Sequence, residues 1–280
     1  MKPGQILRHP GPRAEARFMA LPCRVQPVEL RLAAGIPFDR AVAQAFADHG
    51  FPAGYLRLSK AQFDQLCYVI PAPAPGDGRA AWYSATHRLT QATMWDGGLH
   101  LGRKDGAAFL HCHGLWSETG GEVRAGHLLS PESILAREVV ARGWGVSGAA
   151  LEVRHDPETG FDLFAPVAVS DRDKGDAALL ATMRPNEDPH AILTEIARTL
   201  PQAAIEGVGS LVHTHFISDQ VESYATEVLL REGRIDHGVV TLSAAAVGFD
   251  GVPKTGLLKP NANRICITAE LLLIADTGGP

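Results

Sequence analysis

Three histidines in the first half of the chain are spaced so that they could bind a metal ion. His111 and His113 lie in the apolar run AFLHCHGLW, and His127 follows the turn-forming segment SETGGE. Side chains alternate between faces along a β-strand, so His111 and His113 share one face while Cys112 points to the other. A hairpin centred on Gly120 would place His127 directly opposite His113. The spacing therefore predicts three imidazoles that converge from two paired strands.

Three imidazoles are typical ligands of a first-row transition metal, and Zn²⁺ is the ion that we expect here. The set leaves a fourth coordination position for water, a small anion or a side chain. Water bound to zinc has its pKa lowered towards about 7, which is the basis of hydrolytic chemistry. The alternative is that the histidines only pack in the core or at the surface. No substrate is indicated, and the sequence leaves enzymatic activity open, with no residue assigned a catalytic role.

Three more titratable residues are candidates for contacts with the metal ligands or with a metal-bound water. His87 lies on a strand-like segment before the hairpin, while Glu118 and Glu122 flank the hairpin turn. A carboxylate at the turn could act as a general base on a bound water, and His87 could hydrogen-bond to a ligand. The alternative is that all three are solvated strand and turn side chains.

The elements that position these residues are predicted from periodicity and turn signals. We expect strands from residue 28 and over 82–89, 107–116, 124–129 and 149–154. We expect helices around Phe38, Val42 and Phe46, from Ser59 onward, and over about 131–142, where Ser130 and a following proline form a helix start.

The second half of the chain repeats the order of the first. Placing Arg31 on Arg184 brings Gly54 onto Gly207 without a gap. We therefore predict an N-terminal arm at 1–22, a first domain at 23–157, a linker at 158–177 and a second domain at 178–277. The alternative is that two unrelated halves of similar composition align loosely in this way.

The His-x-His pair, the Gly126-His127-Leu128 triplet after a glycine-containing turn, and the later strand with Glu152 resemble the plants-and-prokaryotes-conserved (PPC or PCC) domain. The resemblance covers about 28–155, with a degenerate second copy at about 180–275. It implies an α/β fold of the α+β type, made of two PPC-like domains, each a mainly antiparallel sheet flanked by helices. It also implies homo-oligomers, commonly trimers, and a zinc site at His111, His113 and His127.

Two features depart from the family pattern. The helix-like stretch at 131–142 is inserted before the last strand of the first copy. In the second copy, Thr241 and Ser243 stand at the positions of the histidines, and Thr255–Leu257 replaces the Gly-His-Leu triplet. We therefore expect no equivalent metal site in the second copy, which would support or close the pocket.

Composition limits the other function classes. The 280 residues carry a formal charge of −5, and no AT-hook is found, which argues against a nucleic-acid binder that relies on bulk positive charge. Four cysteines lie far apart, and no apolar run is long enough to cross a membrane. With no secretory signal evident, we expect a cytoplasmic protein.

The sequence thus favours a zinc-binding PPC-domain protein of unestablished biochemical role, with a pocket that takes water, a small anion or another small molecule. One alternative is a DNA-binding or transcription-regulatory protein, as in the plant PPC proteins. Another is a purely structural oligomer in which the histidines only pack.

Overall fold

The computed structural model describes residues 6–169 and 175–276. Most of these residues lie in β-strands. The described residues also form two α-helices, α1 (Phe38–Asp48) and α2 (Pro189–Ile196), and one 3-10 turn, Ser130–Glu132. The strands are β1 (Phe18–Leu32), β2 (Ala53–Leu58), β3 (Ala61–Val69), β4 (Pro71–Ala72), β5 (Trp82–Tyr83), β6 (His87–Lys104), β7 (Ala107–Glu118), β8 (Arg124–Leu128), β9 (Ile134–Leu135), β10 (Val139–Ser147), β11 (Ala149–His155), β12 (Asp162–Ala168), β13 (Asp176–Met183), β14 (Ala203–Val212), β15 (Thr226–Asp236), β16 (Val239–Val247), β17 (Lys254–Leu257) and β18 (Arg264–Ala275).

Fourteen of these strands form one path in the order β17-β16-β15-β14-β18-β13-β1-β10-β2-β6-β7-β8-β3-β9. The β11–β12 hairpin joins this sheet by a single parallel contact with β6, and β4 and β5 form a separate pair. Strand β1 connects the two halves, because residues 18–25 pair with β13 and residues 24–32 pair with β10. Residues 18–22, which were predicted to belong to the arm, are therefore part of the sheet.

The expected α+β fold with helices flanking each sheet is wrong, because two of the predicted helices are strands. The segment after Ser59 is β3, in which buried Ala61 and Phe63 alternate with more exposed Gln62 and Asp64. The segment 131–142 contains the 3-10 turn, β9 and the start of β10, which pairs with β1 and β2 in the middle of the sheet. Local helix-start signals were overridden there by pairing with distant strands.

The strand order of the first half recurs in the second. The path β1-β10-β2-β6-β7-β8 is matched by β13-β18-β14-β15-β16-β17, and in both halves a helix follows the first strand. Strand β18, which carries Glu270, therefore corresponds to β10 of the first half. Aligning the two sequences had instead set Glu270 on Glu152 of β11. The domain boundaries stay a prediction. Residues 1–5 of the arm, 170–174 of the linker and 277 lie outside the described residues.

Two apolar clusters lie under the two helices, and a third joins the halves. Phe38 and Phe46 of α1 pack with Trp116, while Leu193 of α2 packs within the second half. The joining cluster includes Tyr55 and buried side chains of β1, β13 and β18. Strands β14 and β15 also pack against β6, β7 and β8, so the second half covers the face of the histidine hairpin. No described helix is long and apolar enough to span a membrane.

Candidate metal centre

The β7–β8 hairpin brings the three predicted histidines together. His113 and His127 are directly paired across the hairpin, which confirms the predicted register. The ring centroids of His111 lie 4.6 Å from His113 and 5.0 Å from His127, and those of His113 and His127 are 5.4 Å apart. Cys112 points into the core of the first half, as strand alternation requires. The three imidazoles therefore share one face of one hairpin.

A glycine lets the second half approach this hairpin closely. Gly98 of β6 is paired with His113, and a Cβ there would lie 2.2 Å from the Tyr55 hydroxyl and 2.7 Å from Leu229 Cδ1. Contacts this short do not occur, so any larger residue would push Leu229 away. The neighbouring carbonyl of Val228 accepts a hydrogen bond from His113 Nδ1 at 2.8 Å. The absence of a side chain at Gly98 thus allows β15 to reach the histidines.

The second half supplies a fourth potential ligand, Glu227 of β15. One ligand atom from each of His111, His113, His127 and Glu227 falls in a group whose members all lie within 4.8 Å of one another. Glu227 Oε2 is 2.7 Å from His113 Nε2, which in turn is 3.0 Å from His111 Nε2. Four ligands of a tetrahedral zinc ion, each about 2.1 Å from it, lie roughly 3.4 Å apart. The observed spacing therefore needs only small side-chain shifts to hold such an ion.

Hydrogen bonds on the far side of two rings fix which nitrogen faces the centre. His111 Nδ1 donates to Glu270 Oε2 at 2.8 Å, and His113 Nδ1 donates to the Val228 carbonyl. Each ring, when neutral, therefore turns the lone pair of its Nε2 towards the other Nε2. A carboxylate or a carbonyl that holds Nδ1–H in this way is the usual outer partner of a metal-bound histidine. Either a proton or a metal ion must lie between these facing lone pairs.

The third ring also has an unused buried nitrogen. Nδ1 of His127 is buried and has no hydrogen-bond partner within the described part of the chain. A buried polar atom without a partner is costly, and a bound ion or water would remove that cost. The donor set of three imidazoles and one carboxylate thus fits a borderline cation such as Zn²⁺.

The charges around the centre act on its titratable groups in opposite directions. Burial lowers the pKa of His111, but the carboxylates of Glu270 and Glu227 outweigh it and the net shift is upward. Burial would raise the pKa of Glu270, yet the hydrogen bond and positive charge of His111 lower it. For His127, burial and the charges of the two other histidines lower the pKa well below its ordinary value. His127 therefore stays neutral.

Two further groups extend the centre. The buried His100 donates from Nε2 to the backbone carbonyl of Glu270 at 3.1 Å, and burial lowers its pKa to about 4, so it stays neutral. The Tyr83 ring centroid lies 5.4 Å from that of His127. Desolvation, and then the charges of Glu227 and Glu270, raise the pKa of Tyr83 well above its ordinary value. Tyr83 therefore keeps its O–H proton beside the centre.

A cavity of about 230 Å³ opens next to the centre and is bordered by His111, His127, Glu227 and Glu270. Its other walls come from the β4–β5 region, from β11 and β12, and from β14 and β18. His113 does not border this cavity. The centre thus meets this cavity on the side of His111 and His127, whereas His113 is buried behind them.

The residues predicted to contact the metal ligands lie elsewhere. His87 is exposed and stacks on Tyr68, with ring centroids 5.0 Å apart. Glu118 accepts a hydrogen bond from the Thr90 backbone N–H, and Glu122 forms an exposed ion pair with Arg124. The structure does not bring His87, Glu118 or Glu122 into the histidine group.

The sequence assigned no ligand role to the residues that the second half contributes, although aligning the two halves sets Glu227 on His87 as a titratable residue that could lie near the pocket. Glu227 and Glu270 lie within the apolar strand segments TEVLL and TAELLLI, and both are almost fully buried. A lone carboxylate inside a buried strand was the available signal, since buried charges are nearly always paired. That signal could identify them as members of a site, although it could not identify their partners.

No family model and no curated protein matches the chain. Several solved structures resemble about half of it. A candidate DNA-binding protein from Ralstonia eutropha JMP134 is 15% identical, with a TM-score of 0.40, over 49% of this chain and 89% of its own. A metal-containing protein from Archaeoglobus fulgidus is 22% identical, with a TM-score of 0.38, over 50% and 93%. A plant- and prokaryote-conserved (PPC) protein from Pyrococcus horikoshii is 13% identical, with a TM-score of 0.38, over 56% and 100%. Likenesses this weak assign neither a family nor a function.

Proposed function

We propose that the chain is a zinc-binding protein whose metal ligands are His111, His113, His127 and Glu227. The observation that carries this proposal is the 3.0 Å separation of the His111 and His113 Nε2 atoms. Because both Nδ1 atoms already donate hydrogen bonds on the outer side, the two Nε2 lone pairs face each other. A cation between them turns a repulsive contact into a binding site.

The outer contacts support the same proposal. Glu270 and the Val228 carbonyl hold two of the rings from behind, and the second half supplies both of these groups as well as Glu227. A bound zinc would supply Lewis acidity on the cavity side, where water or a small molecule can approach. The cavity beside the centre also argues against the purely structural alternative, for which a closed site would be expected.

The test is the metal content of the purified protein, and zinc uptake after the metal is removed. We expect one zinc per chain in the wild type and its loss in His113→Ala, since His113 Nε2 lies 2.7 Å from Glu227 Oε2 and 3.0 Å from His111 Nε2. His87→Ala is the matched control, because His87 is exposed and outside the group. Zinc that stays bound when all three ligand histidines are replaced by alanine would contradict the proposal.

We also propose that the chain consists of two PPC-like copies, of which the second has lost the histidines. The recurring strand order, with a helix after the first strand in each half, supports this proposal. In this arrangement the second copy has no histidine site of its own and completes the site of the first with Glu227. The test is an experimental structure in which the two halves are superposed. Different strand connections in the two halves would contradict the proposal.

A further inference from the structure

The cavity beside the metal centre has an unusually aromatic lining. Of the 18 Phe, Trp and Tyr residues in the chain, five line this one cavity. Three of them, Trp82, Tyr83 and Phe109, are between 38% and 40% exposed and therefore lie towards the open side. The buried Phe164 packs edge to face against Phe109, with centroids 5.7 Å apart, and Phe161 lies 5.7 Å from Trp82. Apolar walls with polar groups gathered at one end are typical of small-molecule sites.

The polar end of the cavity carries a specific charge pattern. Its lining histidines and carboxylates are His111, His127, Glu227, Glu270 and Asp162, and none of the described lining residues is Lys or Arg. A divalent ion at the centre would be balanced by Glu227, which would bind it, and by Glu270, which lies behind His111. Asp162 is already paired with Lys104 at 3.2 Å, outside the lining. The metal-loaded end is therefore close to electrically neutral.

Because the metal-loaded end of the cavity is close to neutral, a ligand whose head carries a charge is disfavoured there. An anionic head would meet two buried carboxylates without a lysine or arginine to pair with, and burying an unpaired charge is costly. A cationic head would meet the metal ion itself. A neutral group with a lone pair could approach the metal without either penalty, while a ring attached to it would lie against the aromatic walls.

We infer that this cavity binds a small, uncharged molecule with an aromatic or flat apolar body and one lone-pair donor that faces the metal centre. The inference rests on the proposed zinc site and adds the chemical class of its ligand. Trp82 is assigned as one wall of the body-binding part. Its ring is held by the guanidinium of Arg79, whose Cζ lies 4.8 Å from the ring centroid, and by Phe161.

The test uses protein in which Co²⁺ replaces zinc, so that ligand binding near the metal shifts the visible absorption bands. Three probes share one phenyl ring and differ in the charge of the head at about pH 8, namely neutral 4-phenylimidazole, anionic benzoate and cationic benzylamine. We expect 4-phenylimidazole to bind at least about tenfold more tightly than the other two. Equal or tighter binding of benzoate or benzylamine would overturn the inference.

Two tryptophan variants distinguish the loss of a cavity wall from a general effect of removing a tryptophan. Trp82→Ala should weaken 4-phenylimidazole binding about tenfold, the factor expected for losing roughly 50 Å² of apolar contact. Trp95→Ala is the matched control, because Trp95 is 47% exposed and is not among the cavity-lining residues. Equal effects of the two substitutions would overturn the assignment of Trp82. Failure of the protein to take up Co²⁺ or zinc would contradict the proposed function itself, whereas a loaded protein without the probe preference would contradict this inference alone.

Discussion

Replacing Glu270 with glutamine is expected to weaken zinc binding between about ten- and a hundredfold. Glu270 does not belong to the proposed ligand set, but its Oε2 accepts the proton of His111 Nδ1 at 2.8 Å. Loss of a group that hydrogen-bonds to a metal-bound histidine typically lowers metal affinity ten- to a hundredfold, which corresponds to about 1.4–2.7 kcal/mol of binding free energy. Glutamine keeps the shape and can still accept the hydrogen bond. The loss therefore reports the charge that makes His111 a stronger ligand.

The measurement is competition for zinc between the protein and a chromophoric chelator at neutral pH, with circular dichroism as a check on folding. Glu152→Gln is the matched control, since Glu152 lies on β11, pairs with Arg154 and should leave zinc affinity unchanged. Equal zinc affinities of the wild type and Glu270→Gln would refute the claim that the negative charge of Glu270 makes His111 a stronger metal ligand. So would an equal loss in Glu152→Gln.

Four further outcomes are expected. Gly98→Ala should cost about 1–3 kcal/mol of unfolding free energy in denaturant titrations and also weaken zinc binding, because the added carbon would collide with Tyr55 and Leu229; unchanged zinc affinity would show that β15 is not held in place there. Glu158→Gln should cost about 3 kcal/mol at pH 7, because it breaks a buried pair with Arg17. Burial would raise the pKa of Glu158, but hydrogen bonds to Arg17 and to the Ala14 backbone and nearby arginine charges lower it overall. The stabilisation is therefore fully present above about pH 4.5 and is lost progressively as the pH falls further; a difference between wild type and variant that does not shrink below about pH 4.5 would contradict this. Cys112→Ala should keep one zinc per chain in metal analysis, because its side chain faces the core; loss of the metal would make the thiol a ligand. The zinc-loaded protein should not retard duplex DNA in gels at about 0.15 M salt, given its charge of −5, and salt-dependent retardation would revive the DNA-binding alternative.

The histidine hairpin was predictable because its signals are local. Strand alternation puts His111 and His113 on one face, and the glycine-rich turn sets the register that pairs His127 with His113. Helix α2 also carries a local start signal in its sequence, since Asp188 caps it by accepting a hydrogen bond from the backbone N–H of Ala191 and a proline follows Asp188. Such features depend on residues that are no more than about 16 positions apart in the chain.

The remaining features depend on contacts between distant segments. Glu227 and Glu270 reach the histidines because β15 and β18 pack over the hairpin from more than 90 residues further along the chain. The hydrophobic periodicity of neither half indicates that Glu227 and Glu270 lie beside the histidine hairpin. The helix predicted at 131–142 failed because pairing with β1 and β2 outweighed a good local helix start. The long β1 strand that joins both halves could not be inferred from either half alone.

X-ray absorption at the zinc edge of the loaded wild-type protein tests the metal centre most directly. The structure predicts a first shell of light atoms only, at about 2.0–2.1 Å, with scattering from three imidazole rings and one carboxylate oxygen. In Glu227→Gln the three imidazoles should remain while the oxygen shell changes. A sulfur shell near 2.3 Å, or an ion surrounded by water with fewer than two imidazoles, would contradict a zinc centre shared between the two halves of the chain.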